Sequence, residues 1–268
     1  MADALPLLAV ALWGLAVSAA LALLTWVASL QRSDVSLVDR SWGLMIAGPG
    51  VVYGLLLASA APRVWWTLPL LLAWALRLAW HVTRRNWGHG EDRRYQAIRA
   101  RNQPHFAAKS LYLVFALQAL LAWIVSAPLF AALAGGRPFG VFDGLGIALA
   151  GFGIVFEAVA DAQLSRFSAD RANQGRVLDT GLWRYSRHPN YFGECCTWWG
   201  MFLLGIGGAG TVGLWGILSP VVMTLLLLKV SGVTLLEKDI GERRPKYRDY
   251  VARTNAFVPG PRRPGAPR

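Results

Sequence analysis

The 268 residues are 55% hydrophobic, 12% aromatic and only 16% charged, against about 25% charged in an average soluble domain. Lys and Arg number 27 against 15 Asp and Glu, a net charge of +12. This balance argues against a soluble domain, and also against a nucleic-acid partner, because the basic residues sit between apolar stretches long enough to cross a bilayer.

A bilayer core takes about 20 mostly apolar residues per helix, and such windows fall at residues 5–30, 42–61, 64–80, 111–134, 142–162, 191–208 and 212–230. The pattern predicts an all-α polytopic membrane protein of seven transmembrane helices. The first window reads as a span and not a cleaved signal peptide. Residues 1–6 carry Asp3 and no basic residue, and the apolar stretch is about twice an ordinary signal core. Of the 27 Lys and Arg, 23 fall in the first, third and fifth loops and the C-terminal segment, and two, Arg63 and Arg137, in the alternate loops. The positive-inside rule then places the N-terminus outside and the C-terminus in the cytoplasm, as in a bacterial inner membrane. Residues 1–258 form a single domain in this reading, with residues 150–258 as its cofactor part. The last residues, PGPRRPGAPR at 259–268, read as a flexible tail because proline blocks helix continuation.

The two cysteines, Cys195 and Cys196, are adjacent, and the four histidines have no metal-ligand spacing. No metal is expected. Ionisable groups within or beside spans are costly unless paired or hydrated, so each marks a candidate site: Asp39 and Arg40 before span two, Arg77 and His81 on span three, Glu157 and Asp161 on span five, Glu194 on span six, Lys229 and Glu237 around span seven. Glu157 and Asp161 stand one helical turn apart and share a face. The cluster at 87–94, WGHGEDRR, reads as a helix start, with Glu91 and Asp92 favourable near its N-terminus.

The densest constellation is at 180–200, TGLWRYSRHPNYFGECCTWWG. Rings at Trp183, Tyr185, Tyr191, Trp198 and Trp199 alternate with Arg184, Arg187, His188, Asn190 and Glu194. That mixture suits a large, flat anionic ligand: arginine and histidine hold phosphates, asparagine and glutamate read an amide or ribose hydroxyl, and aromatic faces stack a base. An interfacial aromatic belt explains Trp198 and Trp199 as well. It does not explain a His-Pro-Asn-Tyr turn followed by an intramembrane acid.

Ser186-Arg187-His188-Pro189-Asn190-Tyr191-Phe192-Gly193-Glu194, after Gly181-Leu182-Trp183, resembles the C-terminal signature of the steroid 5-alpha-reductase-like membrane family, and most closely its bacterial branch recorded as a domain of unknown function. The stretches SLVDRSW at 36–42, EDRRY at 91–95 and KYRDY at 246–250 are also similar to that branch. The resemblance implies a seven-helix reductase binding NADPH from the cytosol. It puts the family's asparagine and acid on Asn190 and Glu194, its later tryptophan on Trp198, its span-five acid on Asp161 and an upstream arginine on Arg176. Trp183, Tyr185, Arg187, His188 and Tyr191 complete the expected cofactor segment, with Lys246, Tyr247 and Tyr250 from the tail element. Glu157 stands where steroid reductases carry an asparagine, and their substrate-binding Gln-Glu pair has no match, Asp39 being the nearest acid. The expected chemistry is hydride addition to a carbon-carbon double bond conjugated to a carbonyl, with His81, Tyr95 or Asp39 as the acid. The substrate would be apolar, lipid or 3-oxo-steroid-like, and would enter from the membrane lipids.

Two other readings stand beside this one. Isoprenylcysteine and phospholipid methyltransferases, which use S-adenosylmethionine, share the Arg-His-Pro-x-Tyr turn and a late Glu with a Tyr-rich tail. A lipid-binding or transport protein is the non-enzymatic alternative.

Overall fold

Leucine, alanine and valine dominate the first apolar window, which forms the 26-residue helix α1 (Leu7–Arg32), about 39 Å long. The structure, a computed structural model, describes residues 6–57, 62–230 and 246–263. Then follow α2 (Leu37–Leu57), α3 (Val64–Arg85), α4 (Arg93–Arg101), α5 (Phe106–Ala134), α6 (Val141–Ala169), α7 (Pro189–Ala209), α8 (Leu218–Leu225) and α9 (Lys246–Arg253). Among the described residues there is no strand, so the fold is all-helical. Four stretches are long and apolar enough to cross a membrane, namely Leu7–Arg32, Phe106–Ala134, Val141–Ala169 and Pro189–Lys229, which indicates an integral membrane protein. They cover expected spans one, four and five and the pair six and seven. Helices α2 and α3 fall at expected spans two and three, but glycines and prolines in α2 and tryptophans in α3 dilute their apolar character.

The chain divides into two compact units, where the sequence predicts one domain. The first is Met1–Gly144 with Phe202–Ser219, and the second is Leu145–Met201 with Pro220–Arg268.

In the first unit, α1 ends where Ser33 takes a left-handed conformation (φ 50°) and Asp34 donates its backbone N–H to the Ser29 carbonyl. The Asp34 carboxylate then accepts from the amide and hydroxyl of Ser36, so four residues reverse the chain. The returning helix α2 packs antiparallel to α1, and the buried Ser18 hydroxyl crosses to the Met45 carbonyl at 2.7 Å. Two tryptophans tie α1 to α5 by donating from their ring nitrogens, Trp26 to the Ala107 carbonyl at 3.1 Å and Trp123 to the Ala11 carbonyl at 2.9 Å. These are partners an indole needs when its ring lies among apolar side chains.

Arg63 and Asp143, 80 residues apart, form the first unit's most buried ion pair among the described residues, at 2% and 0% exposure. Arg63 Nε donates to Asp143 Oδ1 at 2.6 Å and Nη2 to Oδ2 at 2.9 Å, a two-pronged pair. Nη1 reaches the Arg137 carbonyl at 2.6 Å, and Nη2 is shared with the carbonyls of Pro138 and Gly207 at 2.9 and 2.8 Å. Asp143 also accepts from the Gly140 amide at 2.8 Å, in the first turn of α6 where negative charge is favoured. The guanidinium thus gathers the start of α3, the loop before α6 and the last turns of α7.

The 41-residue stretch Pro189–Lys229 begins and ends in the second unit, with residues 202–219 in the first. Gly210 takes φ +64°, a conformation that favours glycine, and a 3-10 stretch Gly210–Ile217 leads into α8. Cys195 Sγ on the outgoing leg then meets Thr224 Oγ1 on the returning one at 3.6 Å.

Residues 259–263 of the expected tail are held in place. Gly260 donates its amide to the Tyr185 carbonyl at 3.1 Å and Arg262 its guanidinium to the Asp179 carbonyl at 2.6 Å. Residues 264–268 and Glu237 lie outside the described residues.

Removing one partner of a buried pair strands the other charge, at a cost of about 3–5 kcal/mol, while replacing both with apolar groups costs far less. Arg63→Ala is therefore expected to lower the thermal midpoint of the detergent-solubilised protein sharply, and Arg63→Met with Asp143→Leu to recover most of it. Equal loss in the single and double variants in a thermal-shift assay would remove the pair as the source of that stability.

Candidate functional site

Helices α6 and α7 meet through glycine. A Cβ on Gly193 would stand 2.7 Å from the Glu157 amide nitrogen and 2.8 Å from the Gly153 carbonyl oxygen, so the helices approach backbone to backbone. This contact sets the polar faces of the two helices against each other. Asn190 Nδ2 donates to Asp161 Oδ1 at 3.1 Å, and Glu157, Asp161 and Glu194 are all buried. Three carboxylates and an amide among apolar helices are a costly arrangement that ordinary helix packing does not need.

The approach to α7 is a turn whose every step is bonded. Ser186 is fully buried, accepts from the His188 amide at 3.1 Å and donates its hydroxyl to the Phe257 carbonyl at 2.7 Å. The His188 carbonyl accepts from the Phe192 amide, the first bond of α7, and Pro189 occupies the first helical position, where its missing N–H costs nothing. The His188 ring then stacks on Tyr191 with centroids 5.6 Å apart and planes 4° apart. One turn of sequence thus aims His188, Asn190 and Tyr191 together.

Four residues of the expected cofactor set serve this scaffold. The Arg187 guanidinium donates through Nη1 to the carbonyls of Thr254 (2.7 Å) and Val251 (3.2 Å), satisfying the exposed end of α9. Trp183 is buried, with its ring nitrogen on the Ala160 carbonyl at 3.0 Å. The Tyr250 hydroxyl donates to the carbonyls of Trp183 and Ser186, and burial holds its phenol well above the ordinary range. Tyr247 packs edge-on against Tyr250 with centroids 5.5 Å apart.

The others differ in setting. Trp198 is fully buried. Tyr185 is 45% exposed. Arg176 is exposed, and Lys246 opens α9. The residues 254–263, whose carbonyls accept from Ser186 and Arg187 and whose Gly260 amide donates to the Tyr185 carbonyl, carried no signal in the sequence. Their proline-rich composition masks backbone hydrogen bonding.

The expected acids lie in the first unit. Tyr95 on α4 donates its hydroxyl to Asp39 Oδ1 at 2.6 Å, Arg94 holds Asp39 Oδ2 at 2.8 Å, and Gln118 Nε2 reaches the Tyr95 oxygen at 3.3 Å. Burial lifts the Asp39 carboxyl above its ordinary value against the opposing charge of Arg94. Burial and the adjacent Asp39 hold the Tyr95 phenol well above its own. His81 is half-buried on α3. Arg94 and Gln118 were missed because a cation in a basic loop and a neutral amide in an apolar span are both inconspicuous.

Beside them, Asp92 caps α4, accepting the Arg94 amide at 2.9 Å. Glu91 grips Arg99 with both oxygens at 2.8 Å and takes the Val35 amide at 2.9 Å. Burial raises the Glu91 carboxyl, but the Arg99 hydrogen bonds, the Val35 amide and the Arg99 charge outweigh it and hold it below its ordinary value. Among the described residues no group of three or more His, Cys, Asp or Glu gathers as a metal site would require.

Two tests follow from this geometry. Tyr250→Phe leaves two buried carbonyls without their donor, at a cost of about 1–3 kcal/mol, and is expected to speed amide hydrogen exchange at residues 183–188. Unchanged exchange there would remove Tyr250 as the lock on the turn. Glu91 has a depressed folded-state value, so its contribution to stability is full above the ordinary glutamate range and is lost as pH falls through the lower folded-state value. Arg99→Gln is expected to flatten the acid limb of the stability profile while changing the neutral limb less, as read by thermal unfolding between about pH 3 and pH 7.

No solved structure matches the chain. An uncharacterized protein of Schizosaccharomyces pombe is 27% identical over 275 residues, which cover 92% of this chain and 78% of that protein. A family model described as "Protein of unknown function (DUF1295)" matches residues 25–254, and the chain belongs to that family.

Proposed function

We propose that the chain is an NADPH-dependent membrane reductase, similar to the steroid 5-alpha-reductases, that saturates a carbon-carbon double bond conjugated to a carbonyl in an apolar lipid or 3-oxo-steroid-like substrate. The observation that carries this reading is the Asn190–Asp161 hydrogen bond between two glycine-apposed helices, beside the buried Glu157 and Glu194. Asn190 and Glu194 belong to the turn whose order of residues resembles the reductase signature. An amide held by a carboxylate keeps its carbonyl oxygen as an acceptor and its second N–H as a donor, the pair that a nicotinamide carboxamide matches.

In this reading the polypeptide crosses the membrane seven times, with the N-terminus outside and the basic loops and C-terminus in the cytoplasm. Asn190, Asp161, Glu194, His188, Tyr191 and Tyr185 hold the cofactor. Arg187, Trp183 and Tyr250 keep the turn in shape.

Bound NADPH would supply the hydride for the β carbon, and a positioned acid would polarise the carbonyl oxygen and stabilise the enolate. Tyr95 is the candidate acid. Its raised value keeps the phenol protonated through neutral pH, and Asp39 orients it. A positioned acid contributes about 10² to 10⁴ in rate.

The decisive experiment is titration of the detergent-purified protein with NADPH, NADH and S-adenosylmethionine. Micromolar NADPH binding weakened at least tenfold by Asn190→Ala is the expected result, and binding of S-adenosylmethionine alone would replace hydride transfer by methyl transfer. With an enone steroid as substrate, Tyr95→Phe is expected to lower kcat by about 10² or more and leave NADPH affinity unchanged. An unaltered kcat would take the proton-donor role from Tyr95.

A further inference from the structure

The α1–α2 turn and the loop after α3 enclose a cleft of about 580 Å³ that the proposed reduction does not use. Arg32, Asp34 and Arg40 line one side, and Trp87, His89 and Glu91 the other.

Its acids are already committed. Glu91 is held by Arg99 and the Val35 amide, and Asp34 Oδ1 by Ser36. Its cations are not. Arg40 donates one nitrogen to the Asn86 carbonyl at 3.2 Å and stands 4.0 Å from Asp34, with its Nε buried and lacking any acceptor. Arg32, exposed in the last turn of α1, bonds to no carboxylate among the described residues. The His89 ring turns Nδ1 to the Trp87 carbonyl at 3.1 Å, which leaves Nε2 for a ligand.

The backbone between them is bare. Gly88 takes φ +74°, and open space lies where a Cβ on Gly88 or Gly90 would stand, so a ligand can come against the chain itself. An anion with several oxygens answers two guanidiniums and an imidazole, which is the chemistry of a phosphate ester.

The position favours a phosphate that arrives on a lipid. Arg32 closes a 26-residue apolar helix long enough to cross the membrane, and Trp87 is 69% exposed at the rim. That pairing of an apolar helix end, a guanidinium and an open indole belongs to the headgroup level of a bilayer. We propose that this cleft binds the phosphate of a phospholipid headgroup, with Arg32 and Arg40 on its oxygens, His89 as a third donor and Trp87 against the glycerol. The proposal is independent of the reductase reading.

The test uses the delipidated full chain in detergent. Dihexanoyl phosphatidylglycerol and glycerol 3-phosphate are titrated separately, with thermal shift as the readout. The lipid is expected to raise the midpoint in a saturable way, and Arg32→Gln with Arg40→Gln to weaken its apparent affinity at least tenfold. Arg84→Gln, an exposed arginine outside the cleft, is expected to change nothing. Gly90→Asp puts a carboxylate into open space without a packing clash and is expected to abolish the shift, so the proposal is tested even if the arginine variant folds poorly. Glycerol 3-phosphate acting as strongly as the lipid, and lost in the same variants, would keep the phosphate site and overturn its lipid source. A lipid shift that survives both cleft variants, or that falls equally in Arg84→Gln, overturns the site.

Discussion

A guanidinium in an apolar interior persists only where its charge is answered and its nitrogens find acceptors, and every nitrogen of Arg63 bonds to Asp143 or to one of three backbone carbonyls. In a medium without water to share the load, such a pair acts less as a source of net stability than as a condition on geometry. The start of α3, the loop before α6 and the last turns of α7 must all arrive together or leave charges stranded. The same requirement acts on smaller groups in both units. Ser18, Trp26, Trp123 and Trp183 each place a polar hydrogen on a carbonyl of another helix. Apolar contact alone is nearly indifferent between lipid and protein, so these bonds and the close glycine contacts supply the specificity of packing.

The same logic separates residues that build the candidate site from residues open to a ligand. Arg187 looks in sequence like a phosphate clamp, but its guanidinium caps a helix C-terminus, where unsatisfied carbonyls make a cation favourable. Tyr250 and Ser186 face inward to the turn. Asn190 is different, because its bond to Asp161 uses one N–H and leaves the rest of the amide available. Residues 254–263 complete the scaffold by bonding along the turn at three successive positions, through Tyr185, Ser186 and Arg187. The segment 183–191 is thus a shaped turn held from both sides, and its shape is what substitutions at Arg187 or Tyr250 disturb first.

What could be read in advance follows the range of the interaction. Helix positions were legible from apolar windows, because a 20-residue run needs no partner to declare itself. The helix start at Glu91 and Asp92 was equally local, and Asp92 caps α4. The division into two units, the Arg63–Asp143 pair and the Asp39–Tyr95 bond were not, because their partners lie 56 to 80 residues apart and no periodicity links them. Residues 259–263 differ in kind. Proline and glycine correctly forbade a helix at 259–263, but a chain without a helix can still be ordered by donating amides and guanidiniums to another segment, as Gly260 and Arg262 do.

The two polar centres differ in how their charge is managed, and that difference bears on what each can do. At Asp39 and Tyr95, burial raises both groups, and the tyrosine proton sits between two oxygens with Arg94 alongside. A proton so placed is held at neutral pH yet has an acceptor behind it, which suits a group that donates and is later restored. At Asp161 the Asn190 amide donates to the carboxylate across the contact of α6 and α7 and keeps its own carbonyl oxygen as an acceptor, an arrangement suited to hydrogen-bond reading.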